Sequence, residues 1–227
     1  MRILPSGTSA LLLELDGVEE VRAWHVALMR ARLPDVVDLV PAARTLLVVV
    51  NPVRAPAAAP HGSMPVPTLD DLARRLHELQ PARDRRPDYP APGQSADSLE
   101  ELQVPVRYDG EDLAEVAALW GCDAAEVVCR HTDQRWTVAF CGFAPGFGYL
   151  VADDGGHRWD VPRRDVPRTS VPAGSVGLAG PYTGVYPRAS PGGWQIVGRT
   201  TLELFDVMRE PPALLIPGRR VRFVDVT

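Results

Sequence analysis

The chain of 227 residues has a net charge of −5, with 45% hydrophobic and 23% charged residues, the ordinary composition of a globular protein that can build a core. The negative charge argues against non-specific nucleic-acid binding, which needs a basic surface, and no apolar run reaches the ~20 residues that span a bilayer. The apolar run near the N-terminus is followed by Asp-Gly and a charged segment instead of a small-residue cleavage site, so we expect a cytoplasmic protein.

The first 80 residues predict a small α+β domain. The segment "TSALLLEL" (8–15) has the composition of a strand, and "VEEVRAWHVALMRARL" repeats apolar residues at helical spacing up to Pro34. The segments "VVDLV" and "TLLVVVN", joined by "PAAR", predict a pair of strands. Thr68, followed by Asp71, predicts a capping box that begins a second helix. Strands alternating with two helices are typical of this class.

A stretch rich in proline, charge and small polar residues, 81–99, has the composition of a linker. The strand "LQVPVRY" follows it, and then a helix that we expect Asp109 to cap and Gly121 to end. Asp123 and Glu126 have the spacing of a capping box, which predicts a second short helix.

Residues 100–227 as a whole predict a mainly-β domain. After the helices come the strand "RWTVAFCGF" and several short β segments separated by Pro-Gly turns. The closing "ALLIPGRRVRFVDV" predicts a hairpin around Pro217-Gly218. Many short strands with regular turn signals are typical of a β-barrel or sandwich.

The segment "VPRRDVPRTSVP" holds three candidate site residues, Arg163, Arg164 and Arg168. Proline fixes φ, so these side chains lose less entropy on binding, and guanidinium forks match carboxylates and phosphates. One interpretation is an anion site. The alternative is a solvated loop, or arginines that pair with acids of the same domain.

Two glycine-rich segments are further candidates. In "FCGFAPGFGYL" we expect Phe143 to Leu150 to form a strand-ending wall of a cleft that faces the arginine segment, with Phe143 and Phe147 filling its floor and glycines such as Gly146 bringing the backbone close; the alternative is a surface that packs on a partner. In "VPAGSVGLAGPYTGVYP" the glycines around Ser175, with Gly174 before it, can bring backbone N–H groups to an anion. Tight turns and core aromatics explain the same residues.

The residue types that the sequence contains and lacks exclude several kinds of site. No lysine occurs, which excludes a Walker A loop and Schiff-base chemistry on lysine. Cys122, Cys129 and Cys141 form no C-x-x-C pair, and the histidines show no metal-ligand spacing, so we expect no metal site on the chain. His131, near the end of a predicted helix, is a candidate base; a structural histidine at a helix C-terminus is the alternative.

Three motifs together, "FAPGFGYL", "PRRDVPRTSVPAGSVGLAGPYTGVYP" and "SPGGWQIVGRT", resemble a known family. It comprises the B subunits of 5-oxoprolinase, the KipI-type kinase inhibitors and allophanate hydrolase subunit 1 domains, and the resemblance is dense from about Leu102 to Val226. It implies an α+β N-terminal domain (1–80) followed, after the linker, by a mainly-β cyclophilin-like barrel domain (100–227).

The resemblance also implies a function. It implies one component of an ATP-dependent enzyme that opens the lactam of 5-oxo-L-proline to give L-glutamate, together with partners that resemble the A and C subunits of 5-oxoprolinase. ATP with Mg²⁺ is the expected cofactor, with a partner interface as one place for it. The three arginines match the family's Pro-Arg positions and are expected to hold phosphate or the substrate carboxylate. Substrate contacts are expected from Phe143, Gly146, Phe147, Gly174, Ser175, Tyr182 and Thr183. The alternatives are inhibition of a sensor histidine kinase, or allophanate and urea-carboxylase chemistry.

Overall fold

The computed structural model describes residues 1–51, 68–79, 81, 100–153 and 160–227. The chain folds into two compact units, Met1–Pro92 and Gly93–Thr227, and each unit is described by itself. The predicted linker, except for residue 81, lies outside the described residues, so the domain boundaries stay a prediction. In the part of the chain that is described, no helix is both long and apolar enough to cross a bilayer.

The described residues of the first unit form four strands and two helices: β1 (Arg2–Ser6), β2 (Ala10–Glu14), α1 (Val18–Ala31), β3 (Val36–Pro41), β4 (Thr45–Val50) and α2 (Leu69–Glu78). The strands form an antiparallel sheet in the order β1-β2-β4-β3. Its core includes Leu13, Leu46 and Leu76, all fully buried. The strand β1 was not predicted, whereas the other elements were.

The start of α2 confirms the predicted capping box. The Thr68 hydroxyl accepts a hydrogen bond from the Asp71 N–H at 3.2 Å, and the Asp71 carboxylate accepts one from the Thr68 N–H at 2.9 Å. Two backbone donors at the helix start are thereby satisfied. The signal is strong in sequence because the interacting residues lie only three positions apart.

The second unit is a nearly closed barrel of mixed strand direction. Its elements are β5 (Leu102–Val106), α3 (Leu113–Trp120), α4 (Ala124–Asp133), β6 (Trp136–Cys141), β7 (Gly148–Ala152), β8 (Arg168–Val171), β9 (Ser175–Ala179), β10 (Tyr182–Val185), β11 (Ser190–Gly192), β12 (Gln195–Arg199) and β13 (Arg220–Asp225). Seven strands form one sheet in the order β12-β9-β10-β7-β6-β13-β5, and β8 pairs with β11. Two backbone hydrogen bonds of 2.9 Å between Arg107 and Arg199 join the outer strands β5 and β12.

The helices of this unit begin and end close to the predicted points, with one correction. Gly121 ends α3 in the left-handed conformation, and the Asp123 side chain caps α4 by accepting from the Glu126 N–H. The predicted Asp109 cap is wrong, because α3 begins at Leu113. The Asp109 carboxylate instead pairs with Arg107 and Arg199 at the closure of the barrel.

The predicted hairpin around Pro217-Gly218 is also wrong. The chain turns there, but the preceding residues form only an isolated bridge between Ala213 and Phe205. Strand β13 lies between β5, to which it is parallel, and β6, to which it is antiparallel. Both of its edges are therefore occupied, and no edge remains for a hairpin partner.

Candidate functional site

A cavity of about 480 Å³ opens in the second unit, a size within the usual range of small-molecule sites. Aromatic side chains and two groups of opposite charge dominate its lining. These residues are Phe143, Phe147, Tyr149, Tyr182, Tyr186, Trp194, Arg163 and Asp160. The structure thus brings together Phe143, Phe147, Tyr182 and Arg163 of the predicted site residues.

The turn before β7 places two phenylalanines at different depths. Backbone hydrogen bonds close the turn between Gly142 and Phe147, and Phe143 adopts a φ of 68°, in the left-handed region. Phe147 is 1% exposed, whereas Phe143 is 60% exposed and lies edge-on to it, with 5.4 Å between ring centroids. Phe147 therefore belongs to the packed floor, as expected, whereas Phe143 lies at the rim of the cavity and its expected place in the floor is wrong.

Gly146 serves the same turn and does not line the cavity. Its φ is 81°, and a Cβ built there would lie 2.6 Å from the Cβ of Phe205. The residue is therefore needed for a left-handed backbone and for close packing. Its predicted contact with substrate stays a prediction that this placement does not favour.

The floor continues through a cluster of aromatic rings around Phe147. The ring centroid of Phe147 lies 5.0 Å from that of Tyr149 and 5.3 Å from those of Tyr186 and Trp194. Burial raises the pKa of both tyrosines, and the positive charge of Arg163 acts against that rise. At neutral pH the cluster therefore offers neutral hydroxyls, close to a guanidinium, that can donate hydrogen bonds to a ligand.

Arg163 presents its charge to the cavity. The side chain is exposed, and it makes no ion pair with the residues that the structure describes. The guanidinium lies beside the backbone of Gly193, where a built Cβ would be in ordinary van der Waals contact with the Nε and Nη2 atoms of Arg163 at 3.7 Å. A guanidinium in this position suits a carboxylate or phosphate ligand.

Arg164 and Arg168 bind a buried acid instead. The Asp112 carboxylate, on a residue 2% exposed, accepts from Arg164 Nη1 at 2.6 Å and from Arg168 Nη1 and Nη2 at 2.9 and 2.8 Å. It also accepts from the Ile196 N–H at 2.6 Å. Burial alone would raise the pKa of Asp112, but these hydrogen bonds and charges outweigh it, so the pKa lies below its usual value. Of the two interpretations of the arginine segment, pairing with internal acids applies to these two residues.

The segment around Ser175 lies in the wall of the barrel. Ser175 is buried, and Gly174 has a φ of 80°. A Cβ on Gly174 would lie 2.1 Å from the carbonyl oxygen of Thr200. The N–H of Gly174 donates a hydrogen bond to the carbonyl of Tyr186. The structure does not bring Gly174 or Ser175 to the lining of the cavity, and their geometry is that of a tight turn.

His131 and Thr183 lie in the core of the barrel. His131 is fully buried and stacks on Phe223 at 4.3 Å, and burial lowers its pKa to about 3. Its Nδ1 lies 2.7 Å from the Tyr108 hydroxyl and its Nε2 lies 2.9 Å from the Thr183 hydroxyl, which also lies 3.3 Å from the carbonyl of Gly177. A neutral ring satisfies this chain when Tyr108 donates to Nδ1, Nε2–H donates to Thr183, and Thr183 donates to the carbonyl. The structural alternative for His131 therefore fits its environment.

Several residues of the cavity were not predicted as site residues. Tyr149 could have been predicted from the sequence, because it lies two residues after Phe147 at the start of β7, and side chains two residues apart in a strand lie on the same face. Asp112, which lies outside the lining of the cavity, could not have been found in this way, since it lies 52 and 56 residues before the arginines that it binds. Among the described residues, no group of three or more His, Cys, Asp or Glu side chains could hold a metal ion.

The sequence of this chain matches a known protein family and several known proteins. Residues 1–215 match the family model described as carboxyltransferase domain, subdomain C and D. The chain is 37% identical to the 5-oxoprolinase B subunit of Escherichia coli O157:H7, over 96% of this chain and 93% of the relative.

Solved structures give the same fold within longer chains. The crystal structure of TTHA0988 is 34% identical with a TM-score of 0.68, over 96% of this chain and 40% of that chain. The urea amidolyase of K. lactis is 18% identical with a TM-score of 0.64, over 99% of this chain and 15% of that chain. At that identity the likeness concerns the fold alone. The present chain therefore corresponds to a part of each of these longer proteins.

Proposed function

Since the chain belongs to the carboxyltransferase domain family, subdomains C and D, and its relatives include the E. coli B subunit of 5-oxoprolinase, we propose that it is the B subunit of such an enzyme. The reaction is the ATP-dependent opening of the lactam of 5-oxo-L-proline to L-glutamate. The observation that carries the proposal is the match to the E. coli protein over 96% of the chain. The cavity supplies a site of suitable size and charge.

The cavity fits the chemistry of this substrate. 5-Oxo-L-proline is a small ring that bears a carboxylate, a lactam carbonyl and a lactam N–H. Arg163 can bind the carboxylate, or a phosphate formed on the substrate, with a bidentate fork. The rings of Phe143, Phe147 and Trp194 can cover the ring faces. Asp160 and the tyrosine hydroxyls provide an acceptor for the N–H and donors for the carbonyl.

The difficulty of the reaction lies in the lactam carbonyl, which is a poor electrophile. ATP, when bound, would supply a phosphoryl group to the lactam oxygen, which makes the lactam carbon electrophilic enough for water to add to it and for its bond to the ring nitrogen to break. Arg163 would stabilise the negative charge on that oxygen and its phosphate, and the neutral tyrosine hydroxyls would donate hydrogen bonds to it. The aromatic walls would keep bulk water away from the charged groups, which strengthens these interactions, while one water molecule is still needed as the reactant that opens the lactam.

The proposal includes partners, a nucleotide site and a location. We place ATP and Mg²⁺ at an interface with A-like or C-like partner subunits, because Arg164 and Arg168 are occupied by Asp112 and leave Arg163 as the guanidinium that faces the cavity. The name of the E. coli relative, that of one subunit among several, and the greater length of similar solved chains support further partners. A cytoplasmic location belongs to the same proposal. Kinase inhibition and urea-carboxylase chemistry stay as alternatives.

The test is reconstitution. The purified chain is mixed with the A-like and C-like subunits of the same organism, and glutamate release from 5-oxo-L-proline is measured with and without ATP. We expect release only from the complete mixture with ATP, and the E. coli complex serves as the positive control. No release from a complete mixture whose subunits copurify would contradict the proposal.

Arg163→Ala tests the cavity within that assay. Loss of a charge-assisted hydrogen bond costs about 1.5–3 kcal/mol, so we expect a roughly 10- to 150-fold rise in KM for 5-oxo-L-proline. The matched control is Arg188→Ala, because Arg188 is also exposed but does not line the cavity. Equal KM values for the two variants would show that the cavity does not bind the substrate.

A further inference from the structure

One carboxylate ties three parts of the barrel together beside the cavity. Asp112 precedes α3, and it exchanges two hydrogen bonds with Ile196 of β12: its N–H donates to the Ile196 carbonyl at 2.9 Å and its carboxylate accepts from the Ile196 N–H at 2.6 Å. The same carboxylate binds Arg164 and Arg168. Asp112 is therefore fixed on the barrel by the backbone and holds the arginine segment by two side chains.

The position of Arg163 makes this arrangement relevant to the site. Arg163 precedes Arg164 directly and lines the cavity. Between Val161, which bridges to Gly180, and the start of β8 at Arg168, two hydrogen bonds join the described backbone to the rest of the barrel: the Arg164 N–H donates to the Gly193 carbonyl at 2.9 Å, and the Pro162 carbonyl accepts from Gln195 Nε2 at 3.4 Å. The segment is further attached by the side chains of Arg164 and Arg168, which bind Asp112 and also pair with the exposed Glu115 and Glu111.

We infer that Asp112 is a positioning residue: it binds Arg164 and Arg168 and so fixes the backbone of the arginine segment, which holds the adjacent Arg163 toward the cavity, where Arg163 binds the carboxylate or phosphate of the ligand. The inference rests on the proposed function only in the choice of ligand.

The charges of the segment also indicate that Arg163 binds the ligand while Arg164 and Arg168 bind Asp112. Three guanidiniums lie within six residues, and without an acid they would repel one another and compete for a ligand anion. The buried carboxylate attracts Arg164 and Arg168, while Glu111 and Glu115 add weaker pairs on the exposed side at 3.0 and 3.8 Å. The arginine charge left for an incoming anion is that of Arg163. A preorganised cation of this kind loses less entropy on binding.

The test is a double-mutant cycle in the reconstituted complex, at a temperature well below the unfolding of every variant. We expect Asp112→Asn to raise KM for 5-oxo-L-proline roughly tenfold, with a smaller change in kcat, because it weakens a bidentate charge-assisted pair. In an Arg163→Ala background, the same substitution should change KM less than about twofold, since its effect passes through Arg163. Asp109→Asn is the matched control: it also removes a carboxylate that pairs with two arginines, but at the closure of the barrel.

Two results would overturn the inference. One is an unchanged KM in Asp112→Asn. The other is the same fold-change in KM with and without Arg163, which would mean that Asp112 only stabilises the barrel. If Asp112→Asn does not fold, Arg168→Lys takes its place, because lysine keeps the charge but loses the two-pronged geometry.

Hydrogen exchange of the chain by itself separates this inference from the proposed function. Asp112→Asn should speed amide exchange in 163–169 several-fold while exchange in β6 stays unchanged, and Asp109→Asn should not affect 163–169. This readout needs no substrate. Failure of glutamate release with faster exchange would reject the proposed function and retain the positioning role, whereas unchanged exchange would reject the positioning role itself.

Discussion

His131 should make the barrel sensitive to acid. Its ring is fully buried between Phe223 and the hydroxyls of Tyr108 and Thr183, and burial lowers its pKa from 6.5 to about 3. The unfolded chain therefore takes up a proton at a higher pH than the folded chain does. The contribution of this histidine to stability is complete above pH 6.5 and is lost as the pH falls from 6.5 toward 3.

The size of the effect follows from the two pKa values. Between pH 7 and pH 5 the linkage amounts to about 2 kcal/mol of unfolding free energy, which is a large share of the stability of an ordinary domain. His25 of the first unit, whose pKa burial lowers to about 4 against an opposing effect of Asp38, adds to the total acid sensitivity. The contribution of His25 is the same in the wild-type chain and in a variant at position 131, so it cancels when the two proteins are compared.

The comparison is between the wild-type chain and His131→Gln, whose amide does not titrate. Urea unfolding is followed at pH 7 and at pH 5 for both proteins. We expect the variant to be less stable at pH 7, because a buried hydroxyl loses a partner, yet to lose about 2 kcal/mol less than the wild type on acidification. Equal losses would refute the reasoning. Activity at pH 7.5 in the complex separates the roles further, since a catalytic base would lose nearly all turnover on this substitution.

Other predictions concern local geometry. Gly174→Ala should lower the free energy of unfolding by more than about 3 kcal/mol, because the backbone is left-handed and the new Cβ would meet a carbonyl oxygen. Gly180→Ala should lower it by about 1 kcal/mol, because the backbone there is also left-handed but no atom lies within 4 Å of the new Cβ. Urea unfolding measures both changes. Thr68→Ala should cost about 1 kcal/mol in the same assay, since it removes the cap of α2. A maleimide at pH 7.5 should label exposed Cys129 at least about tenfold faster than Cys141, whose pKa burial raises to about 11, as peptide mass spectrometry can show.

The sequence predicted those features whose determinants lie close together along the chain. The capping box of α2, the left-handed glycine at the end of α3 and the Asp123 cap of α4 each involve residues within three or four positions of one another. The hairpin prediction failed for the converse reason. The turn at Pro217-Gly218 is local and is present, but the partners of β13 are set by a sheet that includes β5, more than 110 residues earlier.

The candidate site shows the same division. The cavity joins the Phe143–Phe147 turn to Arg163, whereas the sequence led us to expect that turn to face all three arginines. The role of the other two arginines depended on a distant acid. His131 likewise resembles a base at a helix end until Tyr108 and Thr183, 23 and 52 residues away, satisfy both of its nitrogens.

The three arginines of one short loop differ in role because they differ in burial. A guanidinium that is partly removed from water needs an anionic partner, since an unpaired buried charge is costly. Arg164 and Arg168, with side chains 31% and 19% exposed, have that partner in Asp112. Arg163 remains exposed at the rim, so water can solvate it until a ligand arrives. A ligand that closes the aromatic cavity removes that water and must then bring a negative charge of its own, so the site should select anions over neutral lactams of the same shape.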